Sequence, residues 1–163
     1  MTTLRTANLL GALALMIVDR IKAEVEGGLG HGGEAPGALI TIGHEPGLSN
    51  DLLRQALGLT HSGTVRLVDR LQREGLVTRR PGTDGRTVAL YLTASGETVR
   101  HQLLRKRAAT LDPLVSTLSV QQVEVLDDIL EQMLQQAFNT RSDAYHICRW
   151  CDEQACHICP MER

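Results

Sequence analysis

Residues 59–93 constrain this chain more than any other stretch. They read LTHSGTVRLVDRLQREGLVTRRPGTDGRTVALYLT. Thr60 stands where an N-cap belongs. After it, Thr64, Leu67, Val68 and Leu71 recur at three- and four-residue steps, which predicts a short amphipathic helix ending near Glu74, with Gly75 as its left-handed stop. Residues 76–80 and 87–92 are strand-like, and Pro81-Gly82-Thr83-Asp84-Gly85 is the turn between them. Upstream, Ser49 caps a helix with Asp51 in its first turn, and Gly58 ends it after Leu57. Two short helices joined by Gly58-Leu59-Thr60 and followed by a hairpin make a winged helix-turn-helix. The second helix has the size of the DNA major groove, and the hairpin tip has the size of the minor groove.

At 100° per residue, Thr64, Leu67, Val68 and Leu71 form the inward face of that helix. Ser62, Arg66, Asp69 and Arg73 project the other way, with Val65 at the margin. This face offers a hydroxyl, a guanidinium that can fork onto guanine and an aliphatic group for a thymine methyl. Gly63 lets the backbone approach a ligand closely. Asp69 and Arg73 are four apart and are expected to pair, which would brace Arg73. In the wing, Arg86 is the long cation at the tip, placed to enter a narrow minor groove, and Asp84 can orient it. A charged helix face alone is more often merely solvated, and an exposed hairpin with an ion pair is commonplace. Helix, glycine stop and basic hairpin together point to DNA.

Charge placement agrees. The net charge is only −2, so the chain is not basic overall. Residues 60–86, however, carry six arginines (Arg66, Arg70, Arg73, Arg79, Arg80 and Arg86) against Asp69, Glu74 and Asp84, a local +3. Residues 119–138 carry Glu124, Asp127, Asp128 and Glu131 and no Lys or Arg, so that segment must face away from DNA. A winged-helix module that binds a protein partner is the competing reading, and the arginine concentration favours DNA over it.

Helical periodicity covers residues 6–26 through Leu9, Leu13, Met16, Ile17 and Ile21. Gly27 to Gly33 (GGLGHGG) is expected to be a connection that cannot hold a helix. Residues 35–43 read as a short helix, although Ile40, Thr41 and Ile42 would also suit a strand. Thr93 caps a long helix that Pro113 bends or ends. Ser119 with Gln122 is a capping box for the last helix, where Val120, Val123, Leu126, Ile129, Leu130, Met133, Leu134 and Ala137 line one face. Aromatic residues are 2% of the chain, so the core must be aliphatic. No apolar run reaches the ~18 residues of a membrane span, and no signal-peptide pattern stands out, so a cytoplasmic protein is expected. Paired carboxylates, a nucleophile elbow and a phosphate-binding loop are missing from the sequence, so an enzyme is not expected.

These residues resemble the MarR (multiple antibiotic resistance regulator) family of bacterial transcription factors. The likeness rests on Leu59-Thr60, Arg66-Leu67-Val68-Asp69-Arg70-Leu71, Gly75-Leu76-Val77 with Arg79, Asp84-Gly85-Arg86, and Leu92-Thr93 with Gly96, and it spans residues 5–138. It implies a mainly α fold with a small β-hairpin, a winged helix-turn-helix flanked by N- and C-terminal dimerisation helices. Residues 1–33 would be the first dimerisation helix and a glycine-rich linker, 34–93 the DNA-binding lobe, 94–139 the C-terminal dimerisation helices and 140–163 a cysteine-rich tail. The resemblance further implies a homodimer on a pseudo-palindromic double-stranded operator, acting as a repressor more often than an activator. Release would follow a small-molecule, oxidant or metal effector. Ser62, Gly63, Val65, Arg66, Arg73, Asp84 and Arg86 are then the expected DNA contacts. The chain departs from the common pattern in its glycine-rich linker and its tail, although a few similar proteins carry such a tail.

That tail holds every cysteine, as Cys148, Cys151, Cys156 and Cys159, in a C-x2-C-x4-C-x2-C pattern. Two C-x2-C knuckles can close a tetrahedron around structural zinc, the expected cofactor. His157 or His146 could replace one thiolate. A thiol switch and an iron–sulfur cluster are the other readings of the same spacing, and the tail could then make the protein a metal- or redox-sensing regulator.

Overall fold

The computed structural model describes residues 4–29, 33–82, 87–137, 140–156 and 159. The tip of the wing, with Asp84 and Arg86, lies outside the described residues, as do His31 and His157.

The chain begins with α1, Leu4–Leu29. This helix runs through Gly27 and Gly28, which were expected to break it. An interior glycine costs only about 1 kcal/mol relative to alanine, and extending an existing helix needs no new nucleus. Helix α2, Ala35–His44, follows, with every residue from Ala35 to Ile42 buried. A helix buried all round carries no amphipathic stripe, which is why Ile40-Thr41-Ile42 also resembles a strand.

Three elements then build the lobe. Strand β1, Leu48–Ser49, leads into α3, Asn50–Leu57, and α4 covers His61–Arg73. Ser49 Oγ accepts from the Leu52 amide at 3.2 Å, and Gly58 ends α3 at φ 65°. Strands β2, Val77–Pro81, and β3, Val88–Leu92, form the wing hairpin. The sheet order is β1-β3-β2, antiparallel throughout, with Leu48 opposite Leu90 and Thr78 opposite Tyr91. Strand β1 was not anticipated; two residues are too few to show alternation.

Helix α5, Ala94–Val115, starts at the cap Thr93 and carries Pro113 in its last turn. The Thr93 hydroxyl donates to Gly75 O at 2.6 Å and accepts from Gly96 N at 3.0 Å, while the Thr93 amide donates to Leu76 O at 3.0 Å. A Cβ on Gly96 would stand 2.1 Å from Leu76 O, so only hydrogen fits there. The core is aliphatic as expected: Leu39, Ile42, Leu53, Leu71, Leu90 and Leu103 are fully buried where α2, α3, α4, the sheet and α5 meet.

Helix α6, Val120–Ala137, is closed at its start by the expected reciprocal bonds between Ser119 and Gln122. None of its residues is buried. Helix α1 lies along α5, tied by Lys106 Nζ to Glu24 O at 2.8 Å, yet Leu9, Leu10, Leu13 and Val18 remain exposed. Among the described residues, no helix is long and apolar enough to cross a membrane. The tail is not a bare metal loop: it opens with α7, Arg141–Cys148, behind a complete Thr140/Asp143 capping box.

Candidate nucleic-acid interface

Helix α4 is set by its own cap and by its buried face. Thr60 Oγ1 accepts from the Gly63 amide at 3.1 Å, and the buried Thr64 hydroxyl donates back to Thr60 O at 3.1 Å. Thr64, Leu67, Val68 and Leu71 are buried, as the periodicity requires. Ser62, Arg66, Asp69 and Arg73 are exposed, with Gly63 and Val65 half-buried at the edge of the same surface. The face chosen as outward is therefore the solvent face of the lobe.

The brace on that face differs from expectation. Asp69 pairs with Arg79 of β2, Nη2 to Oδ1 at 2.7 Å, where a pair with Arg73 was expected. Arg79 Nη1 also donates to Gln72 Oε1 at 2.7 Å. The reason is geometric: β2 packs beside α4 and presents a planar fork that spans one helical turn, a better match than a flexible i,i+4 reach. Two more of the basic residues are occupied within the lobe. Arg80 lies 4.5 Å over the Tyr91 ring, and Arg70 stands 4.0 Å from Glu74. Arg66 and Arg73 are thus the exposed arginines of α4 that make no ion pair among the described residues. The base of the wing is closed by Gly82 N donating to Thr87 O at 2.8 Å.

Helix α3 supports α4 from behind. Its exposed Asp51 accepts from Arg54 Nε at 2.9 Å and Gln55 Nε2 at 2.8 Å. Those two hydrogen bonds hold the Asp51 carboxyl below its usual range.

The tail is seated on this support. His146 Nδ1 lies 2.8 Å from Ala56 O at the end of α3, and the Tyr145 hydroxyl donates to Glu45. Trp150 packs against the core, its Nε1 within 3.5 Å of where a Cβ on Gly37 would stand. Buried Arg100 of α5 reaches across Gly43, pairs with Glu97 at 3.5 Å and donates to Glu153 Oε1 at 2.8 Å. His44 beside them has its pKa lowered by burial, with Arg100 acting in the same direction and Glu153 opposing.

Cys148 closes α7, and the Cys151 amide donates to Cys148 O at 2.8 Å. The two sulfurs share a hydrogen bond, which pulls the Cys151 thiol down to about 6 with help from Arg107 and pushes Cys148 up. Burial and the neighbouring thiols push Cys156 up. All four cysteines are free thiols. Among the described residues, no three His, Cys, Asp or Glu side chains already stand together as a metal-binding group. His146, a candidate substitute ligand, is turned instead toward α3.

Sequence reasoning missed the role of Arg100, Tyr145, Trp150 and Glu153. Two signals were available. Thr140 and Asp143 have capping-box spacing, and a single tryptophan in so aromatic-poor a chain is a natural anchor.

Residues 32–87 match the MarR family model. No curated protein matches the chain. A MarR family protein from Bacillus stearothermophilus shares the fold with a TM-score of 0.72 and 25% identity, over 83% of this chain and 98% of that one. FabT of Streptococcus pneumoniae, solved in complex with DNA, gives 0.68 at 18% identity over 80% and 94% of the two chains. MarR of E. coli in its apo form gives 0.62 at 23% identity over 77% and 96%.

Proposed function

We propose that this chain is a DNA-binding transcriptional regulator of the MarR family, a repressor that binds a pseudo-palindromic operator as a homodimer and is released by an effector. The observation that carries the reading is the solvent face of α4: Ser62, Gly63, Val65, Arg66 and Arg73 on a helix whose opposite face is buried and whose orientation is fixed by Arg79. Arg66 reads a base edge or an adjacent phosphate, and Arg73 meets the phosphate backbone. Arg86, oriented by Asp84, takes the minor groove. The fold shared with FabT, which was solved on DNA, is consistent with this assignment.

The homodimer is supported by the apolar stripes of α1 and α6 that the described residues of one subunit leave exposed. Leu9, Leu13 and Val18 are 50%, 46% and 47% exposed, and Val125, Ile129 and Met133 are 58%, 47% and 41% exposed. Two such stripes on long helices exceed the scattered apolar residues of an ordinary surface. A second copy buries both sets at once and holds two α4 helices on the same side of a duplex.

The test is selection of bound fragments from genomic DNA, followed by fluorescence anisotropy on the enriched sequence across a salt series. The expected result is a two-half-site sequence whose affinity falls steeply with salt. Arg66→Ala and Arg86→Ala should each weaken binding by about 10- to 100-fold, the equivalent of roughly 1–3 kcal/mol. Salt-insensitive binding that neither substitution alters would refute the assignment and favour a protein partner for this face.

A further inference from the structure

We propose that Cys148, Cys151, Cys156 and Cys159 bind one tetrahedral zinc ion, and that this ion acts as a clasp fastening the tail to α3 and α5 of the lobe. Three observations carry it. The tail is too small to hold itself: α7 has eight residues, and beyond it the described structure is a turn and a three-residue 3-10 helix, Glu153–Ala155. Such a segment needs a staple, and a structural metal is one. The first cysteine pair is already arranged as a knuckle, with the Cys151 amide donating to Cys148 O at 2.8 Å. The second pair, Cys156 and Cys159, repeats the same two-residue spacing after four intervening residues, and Cys156 is exposed. Binding would draw the second pair in.

The position of the anchors relative to the ligands gives the site its consequence. Trp150 lies between Cys148 and Cys151, and Glu153 lies between Cys151 and Cys156. Zinc would therefore fix the two loops that carry the contacts to Gly37 and Arg100. His146, two residues before the first ligand, carries the same constraint to Ala56 at the end of α3. A Cys148–Cys151 disulfide would close a very short loop, so it would stabilise little, and it would leave the second pair without a role. A four-thiolate ion uses every cysteine of the chain.

The test uses full-length protein prepared with reductant and does not depend on DNA binding. Elemental analysis should give about one zinc per subunit, as four ligands require. Protein reloaded with cobalt should show the visible and charge-transfer bands of a tetrahedral thiolate site. Cys156→Ser, at an exposed position, should weaken zinc binding by more than the roughly 10- to 100-fold that outer-shell changes cost. Chelation should reduce hydrogen-exchange protection at residues 50–57. Trp150→Ala should keep its zinc and show the same loss there. The site is overturned by a metal-free reduced protein that takes up no cobalt, by zinc binding unaffected in Cys156→Ser, by iron–sulfur absorption, or by a Cys148–Cys151 disulfide as the resting form under reductant. Zinc bound with unchanged protection at residues 50–57 overturns the clasp.

Discussion

Helices α4 and α6 carry comparable apolar stripes and meet opposite fates. In α4 the stripe is buried within the subunit, its cap is made by Thr60, and its outer face is held by a cross-element ion pair. In α6 the cap is equally well made by Ser119 and Gln122, yet no residue of the stripe is buried. Local signals specify both helices. Only the surroundings decide whether an apolar face becomes core, so the same periodicity marks a folding element in one case and, in the proposed dimer, an association surface in the other.

The largest effect expected from breaking this contrast is on association. Ile129→Glu on α6 places a charge on the face assigned to the partner. Burying it unpaired costs several kcal/mol, so the dimer dissociation constant should rise by roughly 100-fold or more. Sedimentation equilibrium measures this, and an unchanged constant would remove α6 from the interface. Leu71→Ala on α4 makes the complementary change. It opens a cavity inside the lobe and should cost about 2–5 kcal/mol of folding stability in denaturant melts. A smaller effect is expected for Asp69→Ala. The pair with Arg79 is half-exposed, so its loss should cost no more than about 1 kcal/mol, while DNA affinity falls because Arg79 no longer fixes the wing against α4. Calorimetry and anisotropy separate the two outcomes.

The smallest effect sharpens the local side of the contrast. Asp51 is exposed and its folded pKa is lowered by Arg54 and Gln55. Its contribution is therefore present above the unfolded value of 3.8 and is lost as pH falls through the lower folded value. Asp51→Asn should flatten that part of the acid limb of a stability–pH profile without altering association.

Much of the lobe was legible because its signals are short-range. Caps at Ser49, Thr60 and Thr93, stops at Gly58 and Gly75, and the spacing of Thr64, Leu67, Val68 and Leu71 each act within a few residues. What escaped is long-range. The choice of Arg79 over Arg73 by Asp69 depends on where β2 comes to rest. The Arg100–Glu153 bond joins residues far apart in the chain, and nothing local to either one announces it. Gly27 and Gly28 misled for the opposite reason, since a strong local breaker signal was overruled by an established helix. Of the candidate contacts, the α4 members stand together on one surface, while the wing pair Asp84 and Arg86 lies outside the described residues.

The close approach of Gly96 to Leu76 O has a mechanical meaning. With Thr93 bonded to both Gly75 and Leu76, the end of α4, the root of the wing and the first turn of α5 are joined at one rigid node. There is no slack there to absorb a rotation of α5. In the proposed dimer each α5 then acts as a lever arm with the reading head welded to its end. A small tilt at the far end, near Pro113, becomes a change in the distance between the two reading heads, which is the quantity a fixed half-site spacing measures.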